Sequence, residues 1–322
     1  MFTKNIVRSL AVAACLFALM GCDDKKSDQA QESQVSAEQA EQAEVLKYNE
    51  YIAAANMSST TYADQLAQFR EEVKPALARK KSIDRLYFNA PNPQGLINVK
   101  ESLDKALAMK PDMPVLDEPA RAYRDAVEKI QAVNTDMVSY INAKTYTSDQ
   151  GAHGREIQND FEARLQALVT AHEAFLQSIK AQDTARVKAA FEKAEKGTRE
   201  YYHAGMIYYL KQSVEAAHNI DENTTLGDKT EAFKTSLDQF NAMALGYDAK
   251  VREFNKTGCP TIMSAANNYL GAARTVLQRS NDGTYEKEAQ RKNGSRMMHE
   301  WDVREIYNNY KNVIETLNYN RC

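Results

Sequence analysis

The clearest candidates for metal chemistry are His153 and Glu156, which lie in the segment GAHGRE at positions 151–156. On a helix these two residues sit one turn apart, so an imidazole and a carboxylate could face the same ion. Two ligands are too few for a protein metal site, and further ligands would have to come from elsewhere in the fold. The structural alternative is a glycine-rich helix start, in which the Glu156 carboxylate lies near the positive end of the helix dipole. We therefore predict no metal site, and His153 and Glu156 are the residues at which to test this.

The spacing G-x-H-x-x-E resembles the motif of imelysin-type proteins. Members of that family are helical, exported or lipid-anchored proteins linked to iron. The resemblance implies a metal or ligand carrier that uses His153 and Glu156. The chain departs from that family directly afterwards, because Ile157-Gln158-Asn159-Asp160 lacks the family's apolar continuation. The carrier is therefore the alternative hypothesis for the function.

The other histidines favour structural roles. His172, His203 and His299 each lie on an apolar helical stripe, where a hydrogen-bonded histidine is common. The sequence contains no G-x-S-x-G, H-E-x-x-H, P-loop or C-x-x-C pattern. Hydrolase, zincin, nucleotide-binding and thiol-redox functions therefore have no motif behind them. We predict no catalytic residue and no cofactor, and the interpretation favours a protein without enzymatic activity.

The N-terminal segment predicts export and lipid anchoring. A short basic start precedes an apolar run over residues 10–20, which is too short to span a bilayer. The sequence LMGC at 19–22 resembles the lipobox of bacterial lipoproteins, in which the cysteine is acylated, as with palmitate, and becomes the new N-terminus. We predict a signal peptide at 1–21 and lipidation of Cys22. The alternative is an ordinary cleaved signal that happens to end near a cysteine.

Two cysteines, Cys259 and Cys322, remain in the exported chain. Exported proteins meet oxidising conditions, and two leftover cysteines there suggest one disulfide. The bond would close a loop of about 63 residues and stabilise the fold by roughly 4 kcal/mol on the chain-entropy model. The alternative is two free thiols, because the sequence does not give the distance between their Cα atoms.

Composition and charge exclude one class of partner. The chain of 322 residues carries 41 Lys and Arg against 44 Asp and Glu, a net charge of −3 at pH 7. Nucleic-acid binding needs a clustered basic face, which these interspersed charges do not provide. Residues 22–43 are almost entirely polar or small, which predicts a disordered tether behind the lipidated cysteine. The helical domain is expected over 44–322.

From residue 45 onward, apolar residues recur at helical spacing, which predicts an all-α, multi-helix bundle of about seven to nine helices. Pro75 is expected to interrupt one helix, and another is expected to run unbroken from Thr184 to Ile220. Asp117 is predicted to cap the helix that follows it. The aromatic run at 201–209 predicts a central helix buried on most sides or, alternatively, an exposed surface that docks a ligand or protein. The clearest single stripe is Phe233, Leu237, Phe240, Ala244, Tyr247, Val251 and Phe254.

Three stretches carry a second resemblance: CDDKK at 22–26, ALAMKPDMPVLDEPARAYRDAVEKI at 106–130, and SDQGAHGREIQNDFEARLQALVTAHEAFLQSI at 148–179. They resemble the YiiG-type lipoproteins of Gram-negative bacteria. That family is a domain of unknown function, so the resemblance implies a helical periplasmic domain but supplies no active site. Asp23 is similar to the signal that retains a lipoprotein in the inner membrane of enteric bacteria, which implies the periplasmic face of that membrane. The rule differs in other lineages, so the outer membrane stays an alternative.

The main hypothesis is a lipid-anchored periplasmic helical protein of unknown activity that acts as a non-enzymatic binding or interaction module of the cell envelope. The alternative is an imelysin-like metal or ligand carrier. A third class, a hydrolase of the cell wall, would need two carboxylates that meet only in the folded chain. The expected partners are the membrane, through the lipid on Cys22, and an envelope protein. Nucleic acid is not expected, and a small ligand or metal has no support from the sequence.

Overall fold

The computed structural model describes residues 28–57, 62–79, 83–223, 225–290, 297–319 and 322. Within this part of the chain the backbone forms 10 continuous helices and no strand, which confirms the predicted all-α class. The helices are numbered α1 to α11, because one continuous helix contains α2 (Tyr62–Gln68), a π turn and α3 (Lys74–Ala78). None of the described helices combines the length and apolar character needed to cross a membrane. The predicted signal peptide (1–21) and the predicted lipidation site Cys22 lie outside the described residues.

The chain divides into two compact units, one ending at Gln182 and the other running from Asp183 to Cys322. The predicted helical domain, 44–322, therefore contains two units. The N-terminal unit comprises α1 (Asp28–Asn56), α2 (Tyr62–Gln68), α3 (Lys74–Ala78), α4 (Pro93–Ala108), α5 (Pro114–Asn142) and the first part of α6 (Ala152–Lys193).

Local signals set the helix starts of the N-terminal unit. Helix α4 begins behind Asn92, whose Oδ1 accepts a hydrogen bond from the backbone N–H of Gly95 at 2.8 Å. Pro93 takes the first helical position, where its missing N–H has no intrahelical partner to lose. The core of this unit is rich in aromatic side chains, of which the largest are Tyr51, Phe69, Tyr123, Phe161 and Phe175.

The expectation that Pro75 interrupts a helix is wrong. Helix α2 continues through a π-helical turn (Phe69–Val73) directly into α3, in which Pro75 is the second residue. In a regular α-helix, proline has no N–H to donate and its ring collides with the carbonyl one turn earlier. A π turn changes which carbonyls are paired. The helix can therefore pass through the proline without ending.

The predicted disordered tether, 22–43, differs from the structure in its second part. Helix α1 begins at Asp28, so the backbone of residues 28–43 is helical. This stretch is rich in Ala, Gln and Glu, which are strong helix formers, and it contains no Gly or Pro, which disfavour a helix. Low apolar content correctly indicates little core contact, since residues 39–42 are exposed. It does not prevent a helix from extending outward from the buried end of α1, where Tyr51 lies.

The single helix expected from Thr184 to Ile220 is two helices, because a short turn separates α6 from α7 (Arg199–Asn223). Gly197 in that turn has a φ of 83°, in the left-handed region that glycine enters without steric cost. Thr198 then caps α7, because its Oγ1 accepts a hydrogen bond from the N–H of Tyr201 at 3.1 Å. The Gly-Thr pair is a stop-and-start signal that apolar spacing alone does not reveal.

The C-terminal unit contains the end of α6 with α7, α8 (Thr230–Arg252), α9 (Pro260–Asn281), α10 (Thr284–Ala289) and α11 (Met297–Asn318). Helix α7 packs on α8, and α9 packs on both α8 and α11. The short α10 spans too few residues to show a hydrophobic period, so the prediction of seven to nine helices could not include it. The core of the unit contains the predicted α8 stripe as far as Val251, whereas Phe254, which follows the end of α8, is 68% exposed.

Two glycines permit α7 and α8 to approach closely. A Cβ atom on Gly246 would lie 2.2 Å from a ring carbon of Tyr202, and a Cβ atom on Gly205 would lie 2.6 Å from Sδ of Met243. Both distances are far below van der Waals contact. Each helix therefore requires a residue without a side chain where the other crosses it.

We predict that Gly246→Ala destabilises the protein by about 1–3 kcal/mol, because overpacking outweighs the better helix propensity of alanine. Gly271→Ala in α9 is the matched control, since a Cβ atom there meets no atom within 4 Å. That substitution should stabilise the protein by about 0.5–1 kcal/mol. The midpoints of urea unfolding measure both effects, and shifts of the same sign would contradict the close approach of α7 and α8.

Candidate functional site

A polar groove between α9 and α11 is the candidate functional site. Its volume is about 530 Å³, which falls in the range of about 300–1,000 Å³ typical of small-molecule pockets. From α9 it is lined by Asn267, Asn268, Gly271, Ala272 and Thr275. From α11 it is lined by Asp302, Glu305 and Asn309.

The position of the groove follows from the apolar stripes of α9 and α11. The buried stripes belong to one core, which leaves the polar neighbours of each stripe along the outer seam between the helices. The buried residues of α9 are Ile262, Ala265, Ala266, Tyr269, Leu270, Ala273, Val276 and Ser280. Those of α11 include Val303, Ile306, Tyr310, Val313, Ile314 and Leu317.

The carboxylate of Asp302 is neutralised inside the protein. Its Oδ2 accepts a hydrogen bond from Arg279 Nη1 at 2.6 Å and another from the Tyr285 hydroxyl at 2.8 Å. The hydrogen bond with Asp302 raises the pKa of the Arg279 guanidinium. Burial raises the pKa of the Tyr285 hydroxyl, and its hydrogen bond to Asp302 raises it further. Asp302 therefore contributes a paired charge to the groove, and Glu305 contributes the remaining carboxylate of the lining.

Most of the other lining groups are neutral hydrogen-bonding side chains. Three are primary amides, each of which can both donate and accept. The amide of Asn309 donates from Nδ2 to the backbone carbonyl of Glu305 at 3.0 Å, which orients its oxygen. The hydroxyl of Thr275 donates to the backbone carbonyl of Gly271 at 3.0 Å. The groove is therefore suited to hold a polar molecule through hydrogen bonds.

Gly271 lies in the interior of α9, where glycine costs about 0.5–1 kcal/mol relative to alanine. No side chain or neighbouring backbone explains it, because a Cβ atom built there has no atom within 4 Å. This distinguishes it from Gly205 and Gly246, which the packing of α7 and α8 requires. The absent side chain instead opens the groove down to the backbone of α9.

An exposed tryptophan lies on α11 next in sequence to the lining residue Asp302. Trp301, the single tryptophan of the chain, is 64% exposed. It precedes Glu305 by one helical turn on α11, so both residues lie on the same face of that helix. Sequence reasoning missed the whole groove. The available signal was the polar pair Asn267-Asn268 and the interior Gly271 beside an apolar stripe, but only the folded chain brings α11 next to them.

Comparison with known proteins identifies the family. A family model described as a protein of unknown function, DUF3829, matches residues 42–319. The chain belongs to the DUF3829 family. The match covers nearly all of the described residues of both units. No curated protein and no solved structure matches the chain significantly.

In this DUF3829 chain, the predicted pair His153 and Glu156 meets a third group, Asp136. His153 Nε2 lies 2.9 Å from Oδ1 and 3.0 Å from Oδ2 of Asp136. The second ring nitrogen of His153 lies 3.7 Å from Oε2 of Glu156, which is 80% exposed. The hydrogen bond with Asp136 raises the pKa of His153, and Glu156 raises it further. The described residues contain no group of three or more His, Cys, Asp or Glu side chains arranged to hold a metal ion.

The glycine-rich segment is the start of α6, as the structural alternative supposed. Asp149 Oδ1 accepts a hydrogen bond from the backbone N–H of Gly151, and its Oδ2 accepts one from the N–H of His153 at 3.0 Å. The hydroxyl of Tyr140 also donates to Asp149, at 2.9 Å. These donors occupy the carboxylate that caps the helix. His153 is therefore positioned by a helix cap and an ion pair.

The buried histidines occupy two different environments. His299 is 5% exposed, and its Nε2 lies 2.7 Å from the backbone carbonyl of Ile220, the hydrogen-bonded arrangement expected from the sequence. His172 is 7% exposed and packs between Tyr62 and Tyr123, with ring centroids 5.0 Å from each. Its Nε2 has no hydrogen-bond partner. Burial lowers the pKa of His172 from 6.5 to about 4, so the residue is neutral in the folded protein at pH 7.

Asp117 is a buried charge centre, and it does not begin the helix as predicted: α5 starts three residues earlier, at Pro114, and its N-cap is Met113. From inside the first turn, Asp117 Oδ2 accepts a hydrogen bond from the backbone N–H of Met113 at 2.9 Å. Its carboxylate also contacts Lys47 Nζ at 2.8 Å and accepts a hydrogen bond from the Tyr51 hydroxyl at 2.6 Å. The side chain of Lys47 is fully buried. Burial alone would raise the pKa of Asp117, but the hydrogen bonds from Lys47 and Tyr51 outweigh it and hold the pKa below its usual range.

The remaining predicted features lie in the C-terminal unit. The structure joins Cys259 and Cys322 by a disulfide with 4.2 Å between the Cα atoms. The aromatic run of α7 is half-buried, and Tyr201 and Tyr208 both stack on Phe191, at centroid distances of 5.0 and 5.3 Å. This arrangement favours the packed helix over the exposed docking surface.

We predict that stability falls with acid because of His172. In the unfolded chain His172 binds a proton below about pH 6.5, whereas in the folded chain it stays neutral down to about pH 4. The free energy of unfolding should therefore decrease between these values, by about 3 kcal/mol from this residue. His172→Leu should flatten the dependence, which urea unfolding at pH 7.5 and 4.5 measures. Burial also lowers the pKa of His203, so some slope should remain. His218→Gln, at an exposed position, is the control, and an unchanged slope in His172→Leu would refute the prediction.

A second prediction concerns the buried ion pair. Lys47→Met should destabilise the protein by about 3–5 kcal/mol, because it leaves the charge of Asp117 buried without compensation. Adding Asp117→Asn should restore much of the loss, since it removes the buried charge, its amide oxygen can still accept from the N–H of Met113, and its NH2 group can donate to the Tyr51 hydroxyl oxygen. The control is Lys105→Met, which removes an ion pair whose lysine is 64% exposed and should cost less than about 1 kcal/mol. Chemical denaturation measures all three, and a double variant weaker than Lys47→Met would count against buried charge as the cause.

Proposed function

We propose that this DUF3829 protein is a lipid-anchored, non-enzymatic binding module of the cell envelope, and that its binding site is the groove between α9 and α11. The lipid on Cys22 holds the chain at the membrane, and Asp23 directs it to the periplasmic face of the inner membrane. The resemblance to YiiG-type lipoproteins supports this location.

The lipid anchor is supported by the sequence before the described residues and by the helix that follows. The segment 1–22 has the order of a lipoprotein signal, and a diacylated or triacylated cysteine binds the membrane stably where one acyl chain would not. Helix α1 is 29 residues long, which corresponds to about 44 Å. Its C-terminal part is buried in the fold, so the 16 residues 28–43, about 24 Å of helix, are the part that can hold the folded chain away from the lipid headgroups.

The main support for a binding role is that side chains of the groove already form hydrogen bonds within the protein. A hydrolase would need a nucleophile beside a base, or a pair of carboxylates of which one stays protonated. The hydroxyl of Thr275 donates to a backbone carbonyl, and Asp302 is already engaged by Arg279 and Tyr285. The groups of the groove thus form hydrogen bonds and hold fixed positions, which favours binding over bond cleavage.

The carrier hypothesis at His153 and Glu156 has less support. Asp136 adds a third group, but both of its carboxylate oxygens are already within hydrogen-bond distance of one ring nitrogen, Nε2 of His153. Glu156 extends into solvent. We therefore place the binding role in the C-terminal unit and treat metal at His153 as an outcome of the test.

Native mass spectrometry of the full-length chain tests both parts of the proposal. The protein is extracted from its membrane in a mild detergent without chelator. The expected spectrum is a chain that begins at Cys22, carries the covalent mass of the acyl chains, and retains a non-covalent small molecule. Cys22→Ser should abolish the acyl mass, whereas Cys15→Ser should not.

The non-covalent mass is assigned to the groove by a matched pair of leucines. Gly271→Leu should remove it, because the larger side chain fills the groove, while Ser264→Leu at an exposed α9 position outside the groove should keep it. A metal mass that disappears with His153→Ala would instead support the carrier. A chain without acyl mass contradicts the anchor, and a chain without bound mass contradicts the binding role.

A further inference from the structure

The charges of the groove favour a neutral ligand. Of its two lining carboxylates, Asp302 is paired with Arg279 at 2.6 Å, so its negative charge is compensated within the protein. Glu305 alone does not make the strongly charged surface that binds cations or anions tightly. A ligand with a high charge of either sign would meet few opposite charges among the lining residues.

The amides define the hydrogen bonds that the ligand must make. Asn267 and Asn268 each carry a carbonyl oxygen and an NH2 group, and Asn309, whose NH2 group already donates to the backbone carbonyl of Glu305, keeps its oxygen and one N–H for a ligand. Such amides match partners that can both donate and accept. A hydroxyl group is such a partner, because it has one donor hydrogen and two acceptor lone pairs. The three amides of one groove therefore match a ligand that carries several hydroxyl groups.

Trp301 adds a flat apolar surface at the edge of this polar groove. Trp301 lies four residues before Glu305, a rise of about 6 Å along the axis of α11. Large aromatic side chains bury much apolar area when a ligand covers them, and a tryptophan that is 64% exposed leaves that area uncovered. A ligand that uses both Trp301 and the amides must carry an apolar face and a polar edge, as the rings of sugars do.

Gly271 indicates how closely the ligand approaches. The residue accepts the conformational cost of glycine in a helix interior, and the open space over it belongs to the groove. Glycine in such a position lets a ligand contact the backbone directly. A flat ring lying against α9 would use this space, which any side chain would reduce.

From these four observations we infer that the groove between α9 and α11 binds a neutral saccharide chain, with hydroxyl groups on the asparagines, one ring over Gly271 and another stacked on Trp301. This inference rests on the proposed function, because it names the ligand class of the same groove. It makes Trp301 and Gly271 the residues that determine specificity, and Glu305 a hydrogen-bond acceptor whose charge is dispensable.

The single tryptophan provides a direct measurement. The full-length chain, purified in a detergent without a sugar headgroup, is titrated with cellotetraose, tetra-N-acetylchitotetraose, glucose, spermidine and trialanine. Tryptophan emission and calorimetric heat are recorded in parallel. We expect at least one tetrasaccharide to shift the emission saturably and to bind at least tenfold more tightly than glucose, because only a chain reaches both the groove and Trp301.

Five substitutions and one control test the assignment by calorimetry. Gly271→Leu and Trp301→Ala should each weaken saccharide binding at least tenfold, and Trp301→Phe should recover part of the loss. Glu305→Gln should change the affinity by less than about threefold, since glutamine keeps the acceptor. Tyr87→Ala is the control for loss of an exposed aromatic side chain, because Tyr87 is also 64% exposed but lies in the other unit. Urea unfolding of Gly271→Leu checks that the fold is intact, and Thr275→Val provides a smaller change in the same groove.

The outcomes separate this inference from the proposed function. Binding of spermidine that Glu305→Gln abolishes, or of trialanine that Gly271→Leu abolishes, overturns the saccharide and leaves the groove as the binding site. Saccharide binding that Gly271→Leu and Thr275→Val leave unchanged overturns the assignment to the groove. No response to either tetrasaccharide overturns the inference, and if the native mass spectrum also shows no bound molecule, the proposed function falls with it.

Discussion

Two links fix the antiparallel pairing of α9 and α11, and the groove depends on that pairing. At one end the disulfide joins Cys259, which directly precedes α9, to Cys322, which follows α11. At the other end Arg279 is bound to Asp302. Cys259 directly precedes α9 and Arg279 lies in its last turn, so the two links hold α9 and α11 together at opposite ends of α9.

The disulfide and the ion pair between α9 and α11 have an energetic consequence for the binding that we propose. A disulfide that closes a loop of 63 residues lowers the entropy of the unfolded chain and, on the chain-entropy model, stabilises the fold by roughly 4 kcal/mol. The Arg279–Asp302 pair contributes less in this sense, because Arg279 is 34% exposed, but it keeps Asp302 oriented. Groove side chains held between two fixed points lose less freedom when a ligand binds. The hydrogen bonds that they form with the ligand are then opposed by a smaller ordering cost.

The sequence predicts the helices better than it predicts the groove, for a physical reason. Burial repeats every three to four residues, so the stripes of α8, α9 and α11 are visible in the order of apolar residues. The break at Gly197 depends on one backbone conformation, and the helical passage through Pro75 depends on a π turn, and neither changes the apolar spacing. The groove depends on two helices meeting. In the sequence, Asn267 and Asn309 are ordinary polar residues, and they line one groove only because the fold sets their helices side by side.

The same limit applies to buried charge, and the two units show its two consequences. In each unit an aspartate near the start of a long helix binds a cation and a tyrosine hydroxyl: Asp117 with Lys47 and Tyr51, and Asp302 with Arg279 and Tyr285. Nothing in the local sequence marks these partners, which lie far apart along the chain. The Lys47 side chain is fully buried and that of Asp117 is 10% exposed, so the pair is largely removed from solvent and its loss should cost stability. The partly exposed guanidinium of Arg279 compensates a carboxylate that lines a groove. There the same chemistry leaves the groove nearly neutral, and in our proposal recognition falls to the amides, the exposed backbone at Gly271 and the indole of Trp301.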